Sequence, residues 1–379
     1  MKRIKILQDN DYIRNLKERI YRNRFELLIF TGYLIYLTIL RLIIPTDYVL
    51  YSEEEYDWEF YYLMSRDITI IFKKQVVKPF CYRIFYPFLV YLLPFTPLFS
   101  FSLISFMSYL IMGIILYYTL RLHLSKVYSA AGLGILCILM VTSQEFVVMP
   151  FYIGFTVDPL VYLLFICCFY SILTSNKKMY MIFLIFGILT KESVVLTIPV
   201  FFICTFYREQ ETITFKRFLI TFYQNIKYIF PAIFILLLLR LIVIPLPIQD
   251  HPHWYEYYMY DDYLSIGFFI AVIQDHLDDP IYLILGCTYL SWSYFIFFLF
   301  FNSKKNWMNW FKIYGIFMSC VYLQILIGVH ITRIILIGYY PMILFSTLGF
   351  KQVIDYIMDN PKQEEIQFFK PLDNKLGLI

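Results

Sequence analysis

At 379 residues, with 60% hydrophobic side chains, 16% charged residues and a mean hydropathy of +0.65, the chain carries more apolar surface than a soluble core needs. Its apolar runs are continuous rather than alternating, which excludes a closed transmembrane barrel and predicts an all-α polytopic membrane protein. The formal charge of +4 is small and gives no reason to expect a nucleic-acid partner, so the information lies in where the charges fall.

Residues 1–26 carry Lys2, Arg3, Lys5, Arg14, Lys17, Arg19, Arg22 and Arg24, and such a basic excess marks the cytoplasmic side. Two readings of this segment stand: Ile13, Leu16 and Ile20 form one face of a helix lying on the inner leaflet, or the segment is a topogenic basic tail. The first span, Leu27 to Ile44, has no cleavage site after it and reads as a retained signal anchor stopped by Pro45. It delivers an outer loop, 45–100, that holds Glu53, Glu54 and Glu55 and then the stretch from Tyr56 to Pro87. Phe85 to Phe99 is apolar but short and interrupted by Pro87, Pro94 and Pro97, so it is expected to lie at the interface without crossing.

Further spans are expected at Phe101–Leu120, Tyr128–Met149, Leu160–Thr174, Met179–Leu189, Val194–Tyr207, Tyr228–Ile244, Ile281–Phe301, Phe311–Val329 and Ile334–Phe350. That makes about ten spans with both termini cytoplasmic. A crossing at Phe85 to Phe99 would instead put Lys177, Lys178, Lys304 and Lys305 outside, against the distribution of positive charge. The implied division is a basic segment 1–26, a membrane module 27–207, C-terminal membrane helices 208–350 with an outer loop 249–280, and a cytoplasmic tail 351–379.

Cys137, Cys167, Cys168, Cys204 and Cys320 lie within apolar runs, Cys287 lies near the end of one, and Cys81 lies in a loop. All seven read as packing residues rather than a disulfide framework. No Cys-x-x-Cys pair, Walker loop or dinucleotide fingerprint is present.

Three groups of charge fall at the outer mouths of spans: Asp57 with Arg83, Asp158, and Lys191 with Glu192. Charge at such positions is expensive unless it pairs or lines a wet cavity, so the three together form a candidate site. Lys191 and Glu192 split one apolar hairpin into two short half-helices, an arrangement that equally fits an interfacial salt bridge capping both. Asp158 before Pro159 also fits a helix N-cap with proline at the first helical position. Asp57 sits among Tyr56, Trp58, Phe60, Tyr61 and Tyr62, aromatic company that suits either sugar stacking or an interfacial belt. Within the spans themselves, Glu145 and Arg240 stand out, and the sequence leaves open whether they pair or snorkel.

The pattern Tyr56-Asp57-x-x-Phe60-Tyr61-Tyr62, then Tyr82-Arg83-Ile84 and Pro87, resembles the first outer loop of bacterial GT-C class integral-membrane glycosyltransferases, in particular a cell-surface glycopolymer group. Asp158 before a span, Leu189-Thr190-Lys191-Glu192 before a span containing Pro199, and Arg333 followed by Pro341 follow the same order. The chain departs from the related pattern in having Trp58 and Glu59 where Gly and Gln are usual, which bears on acceptor preference and on activity.

The resemblance implies transfer of a sugar from a polyprenyl-phosphate donor to a glycan or glycolipid acceptor, at the extracytoplasmic face of the bacterial inner membrane. In that scheme Asp57 is the general base. Arg83 and Lys191, with Lys78 and Arg333, hold the lipid phosphate, while Asp158, Glu192, Tyr61, Tyr62 and Tyr82 bind substrate. No cofactor is required, although some members of the class use a divalent cation. Asp250, His251, His253 and Glu256 are close in sequence but have no recognised metal-ligand spacing. Competing readings are a glycan polymerase, which calls for arginines that the loop 249–280 lacks, and a lipid or glycan transporter or scaffold without catalysis.

Overall fold

A computed structural model of the protein describes residues 23–44, 57–73, 76, 80–154, 156–209, 215–243, 314–325 and 337–358. Among these every regular element is helical. The basic segment 1–22, the loop 249–280, the span at 281–301, the start of the span at 311 and the tail beyond 358 lie outside the described residues. The chain forms two compact units, Met1–Ile44 and Pro45–Ile379.

The first unit is carried by α1, Arg24–Ile43. Its 20 residues make a rod about 30 Å long, the thickness of a bilayer's hydrocarbon core. Ile44 leaves the helix in extended backbone, as the residue before Pro45 must, and the Arg41 guanidinium donates to its carbonyl at 2.9 Å.

The second unit opens with α2 (Asp57–Arg66), a 3-10 turn at Ile68–Phe72, a second at Phe80–Tyr82, and α3 (Phe85–Leu92). Eight residues give α3 a length of about 12 Å, too short to cross, in line with the sequence expectation. It is pinned from inside: Phe85 stacks on Phe186 at 4.6 Å, and the buried Tyr86 hydroxyl shares a hydrogen bond with Ser105 at 2.8 Å. Leu93 turns extended ahead of Pro94, and Thr96 with Pro97 starts α4, Pro97–Arg121. That pair moves the start of this span ahead of the expected Phe101.

The expected span from Tyr128 to Met149 is not one helix. It divides into α5 (Lys126–Thr142), a π turn at Gln144–Val148 and α6 (Met149–Ile153), with a bend of 84°. Pro150 has no N–H to give the Phe146 carbonyl, and that carbonyl takes the Tyr109 hydroxyl instead. Gly154, at φ 80°, ends α6 in the left-handed conformation that glycine adopts freely.

Then come α7 (Asp158–Leu173) and α8 (Lys177–Thr190), joined by a turn in which Ser175 has φ 61° and the Asn176 side chain caps Met179 at 3.1 Å. A 3-10 turn at Glu192–Leu196 leads into α9 (Thr197–Glu209). After it follow α10 (Phe215–Asn225), α11 (Phe230–Ile242), α12 (Ile316–Ile325) and α13 (Tyr339–Ile357). The core is built around α7, whose residues from Asp158 to Phe169 are all buried against α4, α8 and α9. Tyr339 donates to the Tyr162 carbonyl at 3.0 Å, and Phe169 packs on Phe317 and Tyr340, tying α12 and α13 to the same core.

The last helix also corrects the sequence reading, since α13 continues past Lys351 to Ile357. Lys351 lies 4.0 Å from Asp355 on the next turn and over the Tyr128 ring, and the Tyr128 hydroxyl donates to Asp355 at 3.2 Å. This cluster satisfies the charges, so they do not terminate the helix.

By length and composition, two of the described helices, α1 and α4, can cross a membrane, or up to four spans if each bent pair counts as one. The second bent pair joins Leu219–Tyr228 to α11 at 59°. Phe230, Phe234, Leu237 and Leu241 are exposed along α11, a face suited to lipid rather than water. Cys81, Cys167, Cys168 and Cys204 are buried and unbridged, as packing residues should be, Cys137 and Cys320 are likewise unbridged and partly buried, and Cys287 lies outside the described residues.

A Cβ added at Gly187 would stand 2.5 Å from the nearest Val194 methyl, so the approach of α8 to the following turn depends on that hydrogen. Gly187→Ala is expected to lower stability by about 1–3 kcal/mol, with Val194→Ala restoring part of it, read by thermal unfolding in detergent. In the first loop, Asp67 caps Thr69 and accepts from Lys73 at 2.8 Å; the Lys73 bond and then the Thr69 bonds hold its carboxyl at about 2. Because the folded value lies below the unfolded one, this local stabilisation is complete above pH about 4 and is lost as pH falls toward 2. A carbon-13 carboxyl titration should show that midpoint, and Lys73→Met should raise it.

Candidate functional site

The site is assembled from the first loop and from the far end of the α7–α8 hairpin. On α2, Phe60, Tyr61 and Met64 form a buried stripe at helical spacing. Phe80 fits against it, stacked on Phe60 at 5.7 Å and edge-on to Tyr61 at 5.9 Å, and the whole turn Phe80–Tyr82 is buried. That turn aims Arg83. Its guanidinium sits 5.3 Å over the Phe80 ring, Nη1 donates to the Tyr61 hydroxyl at 3.3 Å, and Nε donates to Glu192 Oε2 at 3.1 Å.

Asp158 and Lys191 stand at nearly equal distances along the chain from the turn at Ser175, so the hairpin returns them to the same end. Lys191 interrupts α8 in extended backbone, φ −163° and ψ 132°, while its N–H still closes the helix on the Gly187 carbonyl. Its Nζ donates to Asp158 Oδ1 at 2.8 Å. The Asp158 side chain is only 3% exposed and that of Lys191 19%, so this pair is largely withdrawn from solvent. Asp158 also occupies the first turn of α7, where the helix dipole favours a negative charge.

The N-cap expectation for Asp158 is corrected: Val157 is the N-cap, Asp158 is already helical, and its carboxylate accepts from Lys191. Likewise Lys191 and Glu192 do not pair with each other. Being adjacent in an extended-to-helical break, they project to different partners, Asp158 and Arg83, so one dipeptide couples two ion pairs.

Glu192 Oε1 is buried and accepts no hydrogen bond among the described residues, and neither does the neighbouring Ser193 Oγ. A buried polar atom left unpaired costs about 1–3 kcal/mol, so a polar group meeting Glu192 Oε1 would be favoured there.

Of the residues expected from sequence, Tyr61, Arg83, Asp158, Lys191 and Glu192 therefore meet, and Tyr82 is next to them. Tyr62 has its ring 5.9 Å beneath the Arg66 guanidinium on the same helix. Asp57 is the first residue of α2, one turn before Tyr61, while its side chain, Lys78 and Arg333 lie outside the described residues. So do Asp250, His251, His253 and Glu256; among the described residues no three His, Cys, Asp or Glu side chains converge as metal ligands.

One residue beside the site stood out in the sequence without being assigned to it. Arg240, near the end of α11, lies with its guanidinium 5.5 Å over the Tyr82 ring. Burial pushes the Tyr82 hydroxyl up from its ordinary value, while Arg240 pulls it down and Glu192 pushes it up. The signal was present as a lone arginine in an apolar span, but its partner was a ring remote in sequence.

Comparison with protein-family models, with curated proteins and with solved structures returns no match.

Removing one partner of the buried pair strands the other. Lys191→Met is expected to lose about 3–5 kcal/mol of stability, whereas Asp158→Asn with Lys191→Met should recover much of it, measured as a double-mutant cycle by thermal unfolding in detergent.

Proposed function

We propose that this protein is a membrane glycosyltransferase of the GT-C kind, moving a sugar from a polyprenyl-phosphate donor to a glycan or glycolipid acceptor on the extracytoplasmic face of a bacterial inner membrane. The single observation that carries the reading is the convergence of Arg83, from the first loop, with the Lys191–Glu192 break and Asp158 at one end of the hairpin. Two coupled ion pairs beside buried aromatic rings form a preorganised polar junction on an otherwise apolar helical body. Such a junction suits a ligand with a charged phosphate and a hydroxylated ring. The long apolar helices support a membrane setting. In this proposal about ten spans place both termini in the cytoplasm and the junction outside.

In the proposed reaction the acceptor hydroxyl oxygen bonds to the anomeric carbon as the bond from that carbon to the phosphate oxygen breaks. The hydroxyl proton goes to the Asp57 carboxylate, and the polyprenyl phosphate leaves with the electron pair. Tyr61 and Tyr82 shape the sugar's surroundings, Glu192 and Asp158 orient it, and the basic groups of the junction, with Lys78 and Arg333, offset charge on the departing phosphate. The reaction needs no nucleotide, and a divalent cation near the loop carboxylates is compatible with it.

The test is complementation in the source organism. The protein is deleted, then restored as wild type or as Asp57→Asn at matched membrane levels, with surface glycans and lipid-linked sugars profiled by mass spectrometry. Loss of a general base is expected to slow transfer by about 10²- to 10⁴-fold, so Asp57→Asn should leave the glycan absent and a lipid-linked sugar accumulated. Full restoration by Asp57→Asn would remove Asp57 from that role and favour transport or scaffolding.

A further inference from the structure

Arg83 and Lys191 were the first basic residues expected to bind a phosphate, yet each already faces a carboxylate, so the four charged groups of the junction sum to zero. The next cation is Arg240. It is exposed, has no ion pair among the described residues, and is held over the Tyr82 ring, whose neighbour in the chain is Arg83. A guanidinium resting on an aromatic face keeps its hydrogen-bonding edges free for a planar or tetrahedral anion.

Arg240 also ends an apolar track. Phe234, Leu237, Leu238 and Leu241 are exposed at helical spacing along α11, immediately beside it. A long-chain lipid lying on that track would bring its headgroup to Arg240. Glu192, which like Arg240 acts electrostatically on Tyr82, has in Oε1 a buried acceptor that takes no donor among the described residues.

We propose that Arg240, seated on Tyr82, supplies the net positive charge that binds the phosphate of a long-chain lipid phosphate whose tail lies along α11, and that Glu192 Oε1 accepts a hydroxyl of the group the phosphate carries. Arg83 and Lys191, each offset by its carboxylate, line the same phosphate and hold Glu192 and Asp158 in place. This inference rests on the glycosyltransferase reading for the identity of the hydroxylated group, but not for the phosphate or the tail.

The test is binding to the full-length protein in detergent, with farnesyl phosphate as probe and farnesol and inorganic phosphate as controls. Wild type should bind farnesyl phosphate, and Arg240→Gln should weaken binding roughly ten- to a hundredfold, the loss of a hydrogen bond to a charged group. Arg240→Lys should recover part of it. Because Arg240 is exposed, Arg240→Gln should leave the unfolding midpoint without probe unchanged.

Equal binding by wild type and Arg240→Gln overturns the proposal, as does farnesol binding as tightly as its phosphate, or no binding by wild type. If inorganic phosphate binds as tightly as farnesyl phosphate, the lipid part is overturned. Since the readout is binding alone, a protein that binds through Arg240 yet transfers no sugar keeps this inference and loses the glycosyltransferase reading. A protein in which Arg240→Gln transfers sugar at the wild-type rate does the reverse.

Discussion

The Lys191 ammonium and the Asp158 carboxylate meet where the carboxylate is almost wholly removed from water, and a lone charge there would be far more expensive than the pair. This contact fixes the open end of the α7–α8 hairpin. It thereby sets the position of the next residue, Glu192, which sets Arg83, and Arg83 in turn anchors the Phe80–Tyr82 turn against α2. Removing the first link would cost the first loop one attachment to the helical core and leave those of Phe85 to Phe186 and Tyr86 to Ser105. Gly187 and Val194, in close approach just before and after the break, limit how far that junction can shift.

The same core explains why so short a helix occupies the centre. At 16 residues α7 is about 24 Å long, shorter than a bilayer's hydrocarbon core, but it is buried by α4, α8 and α9 rather than facing lipid. Its length is set by Asp158 at one end and the Ser175 turn at the other. The bend after α5 serves the same end, since the Tyr109 hydroxyl and Pro150 redirect the chain before it enters α7.

Helical class, the first span, the non-crossing α3 and the interruption at Lys191 were legible in sequence because each depends on local signals: apolar run length, proline position and a charged dipeptide. The charged residues of the site were legible for a related reason, since charge among apolar spans has few explanations. What was not legible was pairing. Nothing local distinguishes Asp158 as a helix cap from Asp158 as the partner of Lys191, because the choice is made by hairpin packing. The bend after Thr142 was missed although Thr142, Ser143, Gln144 and Glu145 interrupt the apolar run there, because the apolar segments on either side add up to the length of one span, and α13 was drawn too short because Lys351 finds Tyr128 and Asp355 rather than water. Arg240 was left without a role because its partner ring lies in another loop.

The two coupled ion pairs also impose an order on biogenesis. Asp158 precedes Lys191 by 33 positions and Arg83 precedes Glu192 by 109. At synthesis rates of about 5–20 residues per second, Asp158 waits roughly 2–7 s and Arg83 roughly 5–20 s for its partner to be made. Until then the first loop has neither of these attachments. Because Lys191 and Glu192 are consecutive, one step of elongation supplies both partners, and the junction closes in a single late event rather than growing with the chain.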